Sequence, residues 1–167
     1  MTGHDVDEVG VRVRVLVVSE DAVERLRAVS ALRLHTDLDV EVVEADSGPD
    51  ARRLLAEEPA FDVLVLDGDL RPKGGFALLY ALRSRAELEG QSQPPAVILA
   101  GREQDRWLAD WAGANAVLVK PVASFPLARE VESLVGVGGA DHGATESSDQ
   151  IADLVTTAKG DSAGLNP

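Results

Sequence analysis

The sequence contains no cysteine among its 167 residues. Disulfide scaffolds, thiolate metal centres and cysteine nucleophiles are therefore excluded, and a reducing compartment is compatible. Aromatic residues make up only 4% of the chain, so a core has to be built from Val, Leu and Ala. No apolar run approaches the ~20 residues needed to span a bilayer. The N-terminus, Met1 to Glu8, is acidic and has no basic stretch leading into a long apolar segment, so no secretory signal is expected. Positive charge is scarce as well: 16 Lys and Arg stand against 29 Asp and Glu, a formal net charge of −13. Such a field repels phosphate backbones and anionic lipid, which argues against nucleic-acid binding and membrane association. The expected location is the cytoplasm.

Hydrophobic residues make up 45% of the chain, enough for a sizeable core at a length typical of one domain. The charge is uneven. Asp5, Asp7 and Glu8 give residues 1–10 a net −3, while five acids against Lys159 give residues 136–167 a net −4. Subtracting both from −13 leaves −6 on residues 11–135. From Gly136 onward, glycines sit among Ser, Thr and Asp, a composition that buries too little apolar surface to offset its ordering entropy. Residues 1–11 and 136–167 are thus expected to be a disordered N-terminal segment and a flexible tail around a folded 12–135. Within the tail, Ile151, Leu154 and Val155 have the spacing of a short amphipathic turn.

The folded segment alternates two periods. Val13–Val18, Val40–Val43, Val63–Leu66, Ala96–Ala100 and Ala116–Val119 are short apolar runs, and three of the five are almost continuously apolar, as strands buried on both faces are. Between them lie helical patterns. Val23, Leu26, Val29 and Leu32 are expected on one face, and Ala51, Leu54 and Leu55 on another, entered through Ser47 with Asp50 three residues on. Phe76, Leu79, Leu82 and Arg83 mark a third helix. A fourth reads from Glu103 to Ala112, with Trp107 and Trp111 on one side. Leu127, Ala128, Val131, Leu134 and Val135 mark the last, with Ser124 as its N-cap. Ser84 to Pro95 reads as a long connection. Five strands alternating with five helices predict an α/β fold, a doubly wound parallel sheet with helices on both faces. In such folds ligands lie at the carboxyl ends of the strands.

Those ends carry Ser19-Glu20-Asp21, Asp67-Gly68-Asp69, Ala100-Gly101-Arg102 and Lys120-Pro121. Glu20, Asp21, Asp67 and Lys120 are expected on one rim. Gathered carboxylates repel one another, so Mg²⁺ is the candidate cofactor, with the lysine neutralising part of the remainder. A carboxylate nucleophile, a metal and an ammonium are what phosphoryl transfer to an aspartate requires.

These residues resemble the response-regulator receiver (CheY-like) family. Asp62-Val63-Leu64-Val65-Leu66-Asp67, with Gly75 eight residues after Asp67, is similar to its phospho-acceptor segment. Val15 to Asp21 is similar to its first strand and acidic pair, and Val119-Lys120-Pro121 to its Lys-Pro element. The resemblance covers about residues 12–135 and implies a flavodoxin-like, five-stranded sheet of order 2-1-3-4-5. It also implies Asp67 as the phosphorylation site, Glu20 and the backbone carbonyl of Asp69 as further metal ligands, and Lys120 as the phosphate partner. Asp21, beside Glu20, is an additional candidate ligand. The sequence departs from the family at several places. Ser19 stands for the first acid, Ala100 for the switch Thr or Ser, and Val117 for the switch Tyr or Phe; Arg71 stands where the loop proline is usual, with Pro72 following. Acceptor and lysine are kept while the switch is substituted.

The resemblance implies a stand-alone receiver in bacterial signal transduction, because the residues after 135 are too few for a DNA-binding output domain. Its partners would be proteins, a histidine kinase, a downstream target or both, and its chemistry would go no further than self-catalysed phosphotransfer to Asp67. One alternative is a phosphorylation-independent pseudo-receiver serving as an assembly or regulatory subunit. Another is an enzyme, since Asp67-Gly68-Asp69 also resembles the nucleophile motif of haloacid-dehalogenase-type phosphatases, although Arg71 stands where that family has Thr or Val. The receiver resemblance places the fourth helix on the partner surface, so Trp107 and Trp111 are either core fillers or contact residues there. The glycines form no phosphate-cradling motif, and His4, His35 and His142 lack ligand spacing. Arg52-Arg53 and Arg83/Arg85 read as solvated helix faces.

Overall fold

The alternating runs produce, in chain order, β1 (Val13–Val18), α1 (Ala22–Leu34), β2 (Val40–Ala45), α2 (Gly48–Glu57) and β3 (Val63–Asp67). They continue with α3 (Gly74–Glu89), β4 (Ala96–Ala100), α4 (Arg106–Ala112), β5 (Ala116–Val119) and α5 (Ser124–Val137). The structure is a computed structural model and describes residues 12–137. The expectations for residues 1–11 and 138–167, including the Ile151-Leu154-Val155 turn, His4 and His142, lie outside the described residues. Gly136 and Val137, grouped with the tail by composition, close α5.

All strand pairs are parallel and their order is β2-β1-β3-β4-β5, as the family resemblance implies. β1, β3 and β4 occupy the interior and are almost wholly buried, which is why their sequences, Arg14 and Asp67 excepted, are apolar at successive positions and not at alternate ones. The pleat divides their side chains between two cores. Leu16, Val18, Leu64, Leu66 and Ile98 meet α2, α3 and α4 on one face. Val15, Val17, Val63, Val65 and Leu99 meet α1 and α5 on the other.

Several helix details differ from the sequence-based expectations. In α1, Val23 and Leu26 are 58% and 64% exposed, while Ala28, Val29, Ala31 and Leu32 are buried. The cause is the spacing: at ~100° per residue, Val23 and Leu32, nine positions apart, point to opposite sides of a helix. In the short α4, Ala109 and Ala112 face the sheet, so Trp107 and Trp111 point outward, 65% and 52% exposed. The core-filling reading of the tryptophans is therefore wrong. Trp111 lies flat against Tyr80 of α3, with centroids 4.5 Å apart and rings 5° from parallel.

The first half of the segment Ser84–Pro95 is helix, because α3 runs to Glu89 and stops at Gly90 in the left-handed conformation (φ 66°). Residues Glu103–Asp105 form a 3₁₀ turn before α4. α5 starts at Ser124 itself: Leu127 N–H donates to the Ala123 carbonyl, which moves the cap one residue back. Ser47 does cap α2, accepting from Asp50 N–H at 3.1 Å.

Truncating a side chain in either core should leave a cavity. Leu66→Ala is expected to lower the free energy of urea unfolding by about 2–5 kcal/mol. Leu26→Ser, on the exposed face of α1, should change it by no more than about 0.5 kcal/mol.

Candidate functional site

β3 lies between β1 and β4 and ends on Asp67, which is only 3% exposed. Its backbone position is fixed from behind by α3: a side chain on Gly75 would collide with the Asp67 carbonyl, so only glycine permits the approach. Gly75 N–H donates to the Gly68 carbonyl at 3.1 Å, closing the loop between the two elements.

The buried carboxylate is held by three donors. Asp67 Oδ2 accepts from Ser19 Oγ at 2.7 Å, from the end of β1. Asp67 Oδ1 accepts from Lys120 Nζ at 2.7 Å, from the end of β5, and from the Asp69 backbone N–H at 3.0 Å. Lys120 Nζ also lies 2.7 Å from Asp69 Oδ2. Burial opposes the lysine's charge, but hydrogen bonds and Coulomb attraction from Asp67 and Asp69 outweigh it and hold the Lys120 pKa above its ordinary value. Lys120 is therefore an ammonium throughout the physiological range. It is placed to balance negative charge added at Asp67 Oδ1.

The other expected rim residues face elsewhere. Glu20 accepts from the backbone N–H of Arg71 and pairs with its guanidinium at 3.2 Å. Asp21, the additional candidate metal ligand, is instead the N-cap of α1, with Oδ1 accepting from Val23 N–H at 2.9 Å and Glu24 N–H at 3.3 Å. Asp69 enters through its N–H and its carboxylate. These engagements answer whether Mg²⁺ fits. Glu20, Asp67 and the Asp69 carbonyl are oxygen donors of the right kind; in this arrangement Asp67 accepts three hydrogen bonds, one short of a carboxylate's capacity, and Glu20 is held by Arg71. Among the described residues no group of three acids or histidines is spaced to hold a metal. Glu20, Asp67 and the Asp69 carbonyl would hold Mg²⁺ once Glu20 leaves Arg71; in the metal-free arrangement Lys120 and Arg71 balance the carboxylates.

Ala100 is fully buried at the end of β4, its carbonyl accepting from Lys120 N–H at 2.8 Å. Val117 is half-buried on β5, against the α2–α4 core. Neither side chain offers a hydroxyl or a ring to the site. Two participants were missed in the sequence. Ser19 had been read only as a lost acid, although a short hydroxyl at a strand end beside Asp67 is well placed to donate. Arg71 had been read only as a displaced proline.

No family model matches the chain. It is 38% identical over 125 residues to an uncharacterised response regulatory protein of Mycobacterium tuberculosis, found in strain H37Rv and in strain CDC 1551, a match spanning 73% of this chain and 90% of the relative. The fold is similar to a putative response regulator from Chloroflexus aurantiacus (TM-score 0.65, 24% identity, 75% of this chain and 98% of that one). It is also similar to the chemotaxis response regulator CheY4 of Vibrio cholerae (TM-score 0.62, 23% identity, 74% and 98%). A doubly wound 2-1-3-4-5 sheet with Asp67 at the end of its central strand and Lys120 beside it defines a receiver domain of signal transduction. The chain belongs to the response-regulator receiver family.

Removing the lysine should strand the Asp67 charge. Lys120→Met is expected to cost about 2–4 kcal/mol at neutral pH, below the full price of breaking a buried pair because Lys120 keeps some solvent contact. With its pKa raised on folding, the ammonium stabilises fully below about pH 10.4, the unfolded lysine value, and loses this contribution as pH rises through the higher folded value. The wild-type minus Lys120→Met difference in urea unfolding should therefore stay level to about pH 9 and shrink above about pH 10.4.

Proposed function

We propose that this receiver passes its signal by docking to a protein partner, with Asp67 at the phospho-acceptor position but with an output that phosphate on Asp67 does not govern. The observation that carries this reading is the hydrogen-bond set of Asp67: Ser19 Oγ, Lys120 Nζ and Asp69 N–H all donate to its carboxylate, and the hydroxyl stands where the family has an acid. A modification shifts a conformational equilibrium only through contacts that differ between the two states. Ala100 and Val117 supply neither the hydroxyl nor the aromatic rotor for such contacts. Lys120 is the phosphate partner should Asp67 be modified. Glu20 and the Asp69 carbonyl would serve Mg²⁺ only after Glu20 had left Arg71.

The surface proposed for docking is centred on Trp107 and Trp111, with Tyr80 beside them. Three of the chain's six aromatic residues are thus exposed on neighbouring helices. Large rigid rings of this kind dominate binding energy where they are buried by a partner. The net charge of −13 and the lack of a base-stacking basic surface favour a protein over nucleic acid. Among the described residues no helix is long and apolar enough to cross a membrane.

Incubation with acetyl phosphate and Mg²⁺, followed by intact mass measurement, tests the acceptor. The expected result is little or no phosphoryl adduct on wild type, more on Ser19→Asp, which restores a second acid, and none on Asp67→Asn. A stoichiometric wild-type adduct that disappears in Asp67→Asn would establish the phosphorylated switch instead.

The docking surface is tested by Trp107→Ala and Trp111→Ala. Both should leave unfolding free energy within about 1 kcal/mol of wild type, with Trp111→Ala losing the larger share through its stack on Tyr80. Capture of the partner should fall at least about tenfold, as for a contact worth more than 1.4 kcal/mol. Unchanged capture would move the interface elsewhere.

A further inference from the structure

On the side of α3 away from Tyr80, a cleft of about 420 Å³ opens between the first turns of α2 and α3. Pro49, Pro72, Ala77 and Ala81 give it an apolar wall, and Arg52, Arg71 and Lys73 give it a cationic one. Among the described residues no Asp or Glu lines it, although acids outnumber bases in the chain, 29 to 16. The local sign is thus the reverse of the molecule's. Arg71 is already engaged by Glu20. Arg52 and Lys73 have no ion-pair partner among the described residues, whereas the adjacent Arg53 is matched by both Asp50 and Glu57.

We propose that this cleft binds a small phosphate monoester with an apolar body. Its volume lies within the range of small-molecule sites and is too small for a folded partner. An apolar wall beside cations selects a ligand with both characters, since a bare inorganic anion would leave Pro49, Pro72 and Ala81 facing water. A neutral hydrophobe would leave the two cations unmatched. The charge of the head follows from the same count: Arg52 and Lys73 together balance a dianion, which a phosphate monoester is and a carboxylate is not. The ring or chain of the ligand lies over Pro72, Ala77 and Ala81, and its phosphate lies between Arg52 and Lys73. This site is separate from Asp67 and requires no phosphoryl transfer, so it stands whether or not Asp67 is ever modified.

The test uses the full ¹⁵N-labelled chain and phenyl phosphate as the probe, with amide shifts followed by two-dimensional NMR. Inorganic phosphate, which lacks the ring, and phenol, which lacks the dianion, are the comparators. Saturable shifts at Arg52, Leu70, Lys73 and Ala77 are expected, with phenyl phosphate binding at least about tenfold more tightly than either comparator. The double variant Arg52→Ala/Lys73→Ala should weaken it by a further tenfold or so while leaving resonances outside the cleft in place. Both side chains are exposed, so the fold does not depend on them. Shifts centred on Ser19, Asp67 and Lys120 would put the phosphate at the acceptor and overturn the proposal. Equal affinity for inorganic phosphate would overturn it too, by reducing the effect to charge alone, as would unchanged affinity in the double variant or no saturable shift at the cleft.

Discussion

One ammonium group holds the carboxyl end of the sheet together. Lys120 reaches from the end of β5 across β4 to Asp67 and Asp69, and each contact is 2.7 Å. Without it, Asp67 would be a buried carboxylate facing a second carboxylate, an arrangement that a low-dielectric interior does not tolerate. With it, the loop after β3 has a defined course, Asp69 N–H can turn back onto Asp67, and Ser19 can complete the set from β1. Residues from three strand ends thus share one charge balance. The site is an electrostatic junction built from the protein's own groups.

The central helix of that layer separates two surfaces of unlike chemistry. One flank of α3 carries Tyr80, stacked on Trp111 of α4. The other carries Ala77 and Leu78, beside the cations of α2 and of the β3–α3 connection. The acidic excess of the chain had argued only about which partners to exclude. Its local inversion at Arg52, Arg71 and Lys73 says what the cleft can attract.

The fold was readable because β1, β3 and β4 are short, rich in β-branched residues and, apart from Arg14 and Asp67, apolar, a pattern few arrangements other than a covered parallel sheet can bury. Asp67 and Lys120 were readable for a related reason: strand ends converge, so chemistry placed there meets. Side-chain direction was harder to read. Val23 and Leu26 looked inward because steps of three resemble a helical face over one turn and drift off it over three turns. The tryptophans looked like core residues because size usually decides burial, whereas in α4 two alanines take the sheet-facing positions. Partner choice among polar groups was harder still. Glu20, Asp21 and Ser19 are consecutive, yet they pair with an arginine in a later loop, a helix terminus and the acceptor carboxylate, and of these only the cap is local.

β3 is buried at all five positions, and its side chains enter the two cores alternately. A strand gripped on both sides cannot slide or rotate without repacking both layers at once. Asp67 therefore sits on a fixed datum, like the stationary jaw of a caliper. Whatever the domain senses, the measurement has to be made by the parts that close on that jaw: the connections bearing Ser19, Asp69 and Lys120.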